Sequence, residues 1–268
     1  MGMNGNVAAR VREWIAEWPI EPGPAALFRV LRYLSQWRAI MLANTHVRHC
    51  GATVYGGPFK GMTYAIRSAE GALMPRLLGT YESELHPHLE ALLADKPERI
   101  IDVGCAEGYY AVGLARLAPD VIVHAFDIDA AARTACAALA EANGVADRVV
   151  IGGAFSPAGF QDFAAFRTLV IVDIEGAELD LLRPDLAPAL AQMTLIVETH
   201  DVHRRGALDT LIDRFSRTHD MLRVDQQPKT YEMPPWLRSQ THLDQLLAVW
   251  EWRVEPTPWL VMRPKAPA

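Results

Sequence analysis

The 268-residue chain lacks the features that mark several broad classes of protein. It has no long run of Lys or Arg, and its formal net charge of −6 argues against a large nucleic-acid groove. No apolar stretch approaches the roughly 20 residues that span a bilayer. The first residues lack the basic start and apolar core of a signal peptide. We therefore expect no nucleic-acid partner, no membrane partner and a cytoplasmic location.

Cysteine is also scarce, with only Cys50, Cys105 and Cys136. An odd and scattered set of cysteines argues against a disulfide framework. The chain does have an ordinary globular composition, since it is 50% hydrophobic and 22% charged. Its length suits one large α/β domain with an appendage better than two full domains.

The most informative segment is a glycine turn between a predicted strand, which ends at Val103, and a predicted helix. Gly104 allows the chain to leave the strand in a conformation that a side chain would obstruct. Gly108 removes a Cβ where the start of the helix must lie against a strand or a ligand. Asp102, at the end of the strand, can accept hydrogen bonds from a cationic or N–H-bearing ligand. The turn therefore predicts a ligand site.

The segment 121–129 is a second predicted buried strand with an acidic end, where Asp127 and its nearby competitor Asp129 are the candidates for a ligand contact. In nucleotide-binding α/β folds, an acidic group roughly 20 residues after the glycine turn takes the ribose hydroxyls. The spacing Gly104-x-x-x-Gly108 lacks the G-x-G-x-x-G pattern that brings a nicotinamide dinucleotide close to the backbone. It resembles instead the first motif of S-adenosylmethionine (SAM)-dependent methyltransferases. An NAD-dependent oxidoreductase and a non-catalytic module of the same fold remain the alternatives.

After this turn, apolar strands alternate with helical patterns, which indicates βαβ units and a parallel sheet covered on both faces. Ahead of it, 53–66 predicts a short hairpin. We expect 243–252 and 258–262 to form a final antiparallel pair of strands. The further predicted strands are 148–151, 168–173 and 194–198.

The predicted organisation has three parts. Residues 1–50 form a helical segment, 51–98 a hairpin and a helix that lead into the core, and 99–268 the ligand-binding core. Two alternatives are open for the N-terminal helices. They form a lid or homodimer surface over the substrate pocket, or they are a pair packed on the flank of the domain.

Two further strand ends carry many reactive side chains: Val170-Ile-Val-Asp-Ile-Glu-Gly-Ala-Glu178 and Leu195-Ile-Val-Glu-Thr-His-Asp201. Ligands of open α/β sheets bind outside the carboxyl ends of the strands. Together with Ile101-Asp-Val-Gly104 and Ala125-Phe-Asp127, these segments resemble the FkbM-type methyltransferase family over roughly residues 79–201. The sequence departs from the family pattern at Cys105-Ala-Glu107 and at Asp127, which replaces a glutamate.

The resemblance implies a Rossmann-like, doubly wound, mostly parallel seven-stranded α/β sheet. It also implies SAM-dependent methylation, most often of a hydroxyl on a small natural product or sugar. By position, Asp127 would hold the ribose of SAM, and Ala154 and Phe155 would flank the adenine. Tyr81 and Glu82 would close over the cofactor. The full cofactor-binding set implied is Tyr81, Glu82, Asp102, Gly104, Cys105, Ala106, Glu107, Gly108, Tyr109, Tyr110, Asp127, Ile128, Ala154 and Phe155.

Methylation of a hydroxyl requires close positioning of the acceptor oxygen and loss of its proton to a base or a metal ion. His200 is the expected base because imidazole titrates near neutrality. Asp173, Glu198 and His200 would equally suit a divalent metal ion, and both alternatives stay open. We expect Glu178 to be a solvated helix residue. Glu175 either favours the start of the following helix or belongs to the site.

Overall fold

The computed structural model describes residues 3–65 and 72–266. Seven strands in this part of the chain form one sheet in the order β3-β2-β1-β4-β5-β7-β6, with β7 antiparallel to both neighbours. This confirms the predicted doubly wound, mostly parallel sheet. The strands are β1 (Arg99–Val103), β2 (Ile122–Phe126), β3 (Val149–Gly152), β4 (Thr168–Val172), β5 (Thr194–Glu198), β6 (His219–Val224) and β7 (Trp259–Pro264).

Helices cover both faces of the sheet, because successive side chains of each strand point to opposite faces. Ile100 of β1 packs into one apolar core, and Ile101 packs into the other. The first core includes buried residues of α5 and α6, and the second includes those of α8. The helices are α1 (Met3–Ala16), α2 (Pro24–Cys50), α3 (Leu73–Leu78), α4 (His86–Ala94), α5 (Tyr109–Leu117), α6 (Ala130–Ala142), α7 (Glu178–Leu181), α8 (Ala207–Phe215), α9 (Pro235–Arg238) and α10 (His242–Ala248).

The register of the parallel strands sets the geometry of the site. Val103 of β1 pairs with Phe126 of β2 and with Val172 of β4, so the glycine turn lies between the ends of these two strands. Val172 in turn pairs with Val197 of β5. The residues that follow β1, β2, β4 and β5 therefore meet at one edge of the sheet.

One of the two strands predicted for the final antiparallel pair is not a strand in the structure. Segment 243–252 is not a strand but contains most of α10, and the antiparallel partner of β7 is β6. Thr241 begins α10, since its Oγ1 accepts the N–H of Asp244 at 3.2 Å, an interaction that stabilises a helix start. The apolar residues of this segment therefore follow the helical period.

The predicted hairpin at 53–66 is reduced, in its described part, to one isolated antiparallel bridge between Thr53 and Thr63. Its last residue, Ile66, lies outside the described residues. The two predicted N-terminal helices are present as α1 and α2. No helix within 3–65 or 72–266 combines the length and the hydropathy needed to cross a membrane.

Candidate active site

The glycine turn after β1 depends on two glycines with positive φ. Gly104 has φ +86°, and a Cβ there would lie 1.7 Å from the carbonyl oxygen of Asp173. Gly108 has φ +93°, and its Cβ would lie 2.7 Å from Sγ of Cys136 on α6. Gly108 is therefore needed where the start of α5 packs against the neighbouring helix α6. Gly104 lets β1 and β4 end side by side.

Asp127 fastens this turn to the end of β2. Its Oδ2 accepts the N–H of Ala106 at 2.9 Å, and its Oδ1 accepts the N–H of Asp129 at 2.8 Å. Ala106 itself has φ +46°, an uncommon conformation for a residue with a side chain. Each carboxylate oxygen keeps a second lone pair that can accept a ribose hydroxyl. Asp127 thus fits the predicted role and also shapes the turn.

Two cavities adjoin at the carboxyl edge of the sheet, and both are lined by Gly104, Asp173 and Glu175. The apolar cavity, of about 390 Å³, contains the rings of Phe126 and Phe155, whose centroids are 4.4 Å apart. The polar cavity has a volume of about 310 Å³. Of the predicted cofactor residues, the apolar cavity is lined by Gly104, Asp127, Ile128, Ala154 and Phe155, and the polar cavity by Tyr81, Asp102, Gly104, Cys105, Ala106, Glu107, Tyr109 and Tyr110.

Asp102 presents an unsatisfied acceptor in the polar cavity. The residue is 2% exposed, and its Oδ2 has no hydrogen-bond partner among the described residues. Burial raises the pKa of this carboxyl to about 7, against the opposing effect of a hydrogen bond from the backbone of Ala111. A buried acceptor without a partner destabilises the protein, so this atom marks a position where a ligand N–H group or cation would bind.

His200, two residues beyond β5, is surrounded by carboxylates. Its Nδ1 lies 2.6 Å from Oε1 of Glu178. Its Nε2 lies 3.4 Å from Glu175 Oε2 and 3.6 Å from both Asp173 Oδ1 and Glu198 Oε2. Asp173 and Glu175 follow β4, Glu178 begins α7 and Glu198 ends β5, so the ends of two strands and the start of one helix deliver acidic groups to one imidazole.

Glu178 is a correction to the sequence analysis, because it is fully buried rather than solvated. It also accepts the N–H of Gly176 at 2.9 Å. Burial lowers the pKa of His200, but the hydrogen bond with Glu178 and the charges of Glu198 and Glu175 outweigh this effect and raise the pKa overall. Burial acts to raise the pKa of Glu178, and its hydrogen bonds with His200 and Gly176 bring it below its ordinary value.

Arg253 is the centre of a second charged cluster, in the wall of the polar cavity. Its guanidinium contacts the carboxylates of Glu82, Glu198 and Glu251, and it also donates to Thr257. Thr257 in turn donates to Oε1 of Glu198 at 2.6 Å. Oε1 of Glu198 is therefore bound by Arg253 and Thr257, whereas Oε2 faces His200.

Glu82 does not close over the cofactor, contrary to expectation. It is fully buried, lines neither cavity, and accepts hydrogen bonds from Tyr110 and Arg253. Burial raises the pKa of this carboxyl to about 7, opposed by the charge of Arg253. Its neighbour Tyr81 does line the polar cavity, where the guanidinium of Arg76 lies 4.0 Å from its ring centroid.

One group of side chains among the described residues has the spacing of a metal site: Asp173, Glu175 and His200, whose ligand atoms all lie within 4.8 Å of one another. The expected set contained Glu198 in place of Glu175. Glu198 is engaged by Arg253 and Thr257, whereas the Glu175 side chain is 55% exposed and turned towards the imidazole. Two carboxylates and an imidazole suit a hard divalent cation.

Sequence analysis missed Arg253, Glu251 and Lys229, which support the site. Lys229 Nζ lies 2.6 Å from both Glu84 Oε2 and Glu251 Oε1. These residues lie in segments without regular structure and far from the motif in the chain. The signal that could have indicated them is chemical: buried acidic groups need basic partners.

A family model for the methyltransferase small domain matches residues 85–165, which include the glycine turn and Asp127. The strand order agrees with the seven-stranded, mostly parallel sheet that the resemblance implies. The family model covers 81 of the 268 residues. The FkbM-type assignment is not confirmed by the comparisons. No curated protein matches the chain significantly.

Several solved structures are similar to parts of the chain. An O-methyltransferase from Streptomyces achromogenes involved in tomaymycin synthesis, in complex with SAM, is 14% identical over 68% of this chain and 81% of its own, with a TM-score of 0.43. A Bacillus cereus O-methyltransferase in complex with SAH is 13% identical over 66% and 78%, with a TM-score of 0.42. An rRNA methylase from Streptococcus thermophilus is 14% identical over 67% and 94%, with a TM-score of 0.45. Such distant likenesses carry no argument about the acceptor.

Proposed function

We propose that the protein transfers the methyl group of SAM to a hydroxyl of a small-molecule acceptor, with His200 as the general base. The observation that carries this proposal is the buried Glu178–His200 pair at the wall of a cavity that adjoins the glycine turn. The acceptor would enter the polar cavity.

The two cavities fit SAM in size and chemistry. Each falls within the range of about 300–1,000 Å³ typical of small-molecule sites. The apolar cavity, with Phe155 and Asp127 in its wall, suits an adenine and a ribose. The unpartnered Oδ2 of Asp102 suits the ammonium group of the methionine part. When bound, SAM supplies an electrophilic methyl group on a sulfonium.

His200 would hold the acceptor proton. With Nδ1–H donated to Glu178, the lone pair of Nε2 faces the polar cavity and can take a proton from the acceptor oxygen. The oxygen–carbon bond forms as the carbon–sulfur bond breaks, and the electron pair of the latter stays on sulfur. The imidazolium is then stabilised by Glu178 and by the carboxylates of Glu175 and Glu198.

Calorimetry with SAM and with NAD tests the cofactor. We expect SAM to bind and NAD not to bind. Asp102→Ala should weaken SAM binding by about tenfold, because it removes a buried partner of the ammonium group. Asp147→Ala is a matched control, since Asp147 is exposed and lines neither cavity. Absence of SAM binding would overturn the proposal, and NAD binding would favour the oxidoreductase.

His200→Ala tests the base. In a panel of phenols, sugars and other alcohols, with SAH release as the readout, this variant should lose turnover and keep SAM affinity nearly intact. A fully active variant would remove His200 from the mechanism. A wild type that binds SAM but releases no SAH with any acceptor would favour the non-catalytic module.

A metal-assisted mechanism is the second candidate, favoured by the grouping of Asp173, Glu175 and His200. These three residues would hold the divalent ion, which would lower the pKa of the acceptor hydroxyl. In that case EDTA abolishes turnover, and Mg²⁺ or Mn²⁺ restores it. Turnover that is insensitive to EDTA would leave the general-base mechanism alone.

A further inference from the structure

We propose that the protein is a homodimer in which an apolar seam on α2 packs against the same seam of a second copy. The α2 seam consists of Leu27, Phe28, Leu31 and Leu34, which are 51%, 60%, 61% and 38% exposed. Leu27, Leu31 and Leu34 follow one another at steps of four and three residues. This is the spacing by which one helix packs against another in coiled coils and helical bundles.

The N-terminal helices bury little within one copy. α1 has no buried residue, and the first buried residue of α2 is Ala39. An isolated helix as short as the 14-residue α1 is marginally stable in water, and helices in proteins gain most of their stability from tertiary packing. Within one copy, the helix pair α1–α2 therefore lacks the partner surface that its apolar residues require.

The aromatic residues between α1 and α2 already have contact partners within one copy. The rings of Trp14 and Tyr33 lie 5.1 Å apart, and the guanidinium of Arg29 lies 4.6 Å from the Trp14 ring. Trp37 Nε1 donates to Asn4 Oδ1 at 3.0 Å. These contacts hold α1 against α2, whereas the α2 seam stays open to solvent.

The charges beside the α2 seam favour a protein partner over a lipid surface. α2 contains no Asp or Glu, yet two of its arginines are engaged within the copy. Arg32 Nη2 donates to the carbonyl of Trp252 at 2.6 Å, and Arg38 donates to both carboxylate oxygens of Asp244 at 2.6 and 2.9 Å. An anionic membrane would instead attract basic groups that project freely from the surface.

The area of the α2 seam matches what a dimer requires. Its four side chains leave about 400 Å² accessible, taking roughly 200 Å² for a fully exposed large side chain. A standard interface buries about 800 Å² per partner. Slightly more than half of that area, about 450 Å², is apolar. A two-fold axis places the same patch of both copies in contact, so a self-complementary apolar seam is sufficient.

Sedimentation of the full chain at micromolar to tens of micromolar concentration tests the proposal. The wild type should sediment with twice the mass of the chain. Leu27→Glu/Leu31→Glu should raise the dimer dissociation constant by more than about a hundredfold, because each substitution occurs twice in the interface. Leu186→Glu changes a residue of similar exposure, 52%, outside α2 and should remain a dimer.

A second measurement does not depend on a disruptive variant. Leu31→Cys should cross-link to its symmetry mate with a short thiol reagent, and Leu186→Cys should not. A monomeric wild type, together with a Leu31→Cys variant that fails to cross-link, would overturn the proposal. So would a wild type that stays monomeric and binds vesicles of anionic lipid. None of these outcomes depends on methyl transfer, since each measures mass, proximity or lipid binding.

Discussion

Replacing Glu178 with glutamine should separate the roles of charge and packing at His200. Glu178→Gln keeps the size of the side chain and removes its negative charge. The Glu178–His200 pair is sheltered from water, since the side chains of His200 and Glu178 are 4% and 0% exposed. A hydrogen bond to a charged group at such a site contributes about 1.5–3 kcal/mol. Loss of this interaction with the protonated imidazole should therefore lower the pKa of His200.

The sign of the effect on activity follows from the role of the base. His200 accepts a proton only when it is neutral, so turnover rises with pH through its pKa. The hydrogen bond with Glu178 holds that pKa above its ordinary value. In Glu178→Gln, the acidic limb of the pH–rate profile should therefore move to lower pH. The plateau should also fall, by about tenfold, because the base is weaker.

The assay is SAH release as a function of pH, with SAM affinity measured in parallel. Glu141→Gln is the control, since Glu141 is an exposed residue of α6. A variant with wild-type plateau and an unmoved acidic limb would refute the coupling of Glu178 to the base. Loss of SAM affinity together with turnover would show instead that Glu178 supports the fold of the site.

Three further predictions concern stability. Gly104→Ala should destabilise the protein by more than about 4 kcal/mol, because the new Cβ would clash with a backbone oxygen. The control Gly144→Ala has open space around the new Cβ and should cost about 1 kcal/mol. Thermal unfolding measures both values. Arg253→Met removes the guanidinium that Glu82, Glu198 and Glu251 share and should cost about 3–5 kcal/mol at neutral pH, a deficit that shrinks on acidification. In the same urea titrations, the exposed Arg183→Met should leave the stability close to that of the wild type. Burial lowers the pKa of His46 to about 4, so the unfolded chain binds its proton first and stability falls as pH drops below 6.5. Between pH 7 and 5 the wild type should lose about 2 kcal/mol more than His46→Phe, and an equal loss in both would contradict this.

The sequence predicted the sheet well because strands covered on both faces appear as continuous apolar runs. β5, Thr194–Glu198, has the predicted bounds. The sequence did not predict β6, which lies at the edge of the sheet. Its residues, His219-Asp-Met-Leu-Arg-Val224, are mostly exposed or half-buried. Such a strand carries no apolar run, and its pairing with β7 depends on residues far along the chain.

The local chemistry of the glycine turn was also readable from the sequence. Gly104 has the predicted conformation, and Asp127 lies beside the turn. The burial of Glu178 beside His200 could not be predicted from the sequence. Helix α7 is a single turn that directs this carboxylate inward to His200. A pattern of polar and apolar residues cannot distinguish that arrangement from an exposed helix start.

By itself, the sequence determined which residues end the parallel strands, because apolar runs, glycines and acidic residues are local properties of the chain. Only the tertiary structure decided which of those groups meet. The pairing of Val103 with Val172 and of Val172 with Val197 brings Gly104, Asp173 and Glu198 to one edge. Arg253 reaches the same edge through a segment outside any strand or helix. Burial and proximity depend on every layer of the fold, so the environment of His200 follows from packing and not from local sequence.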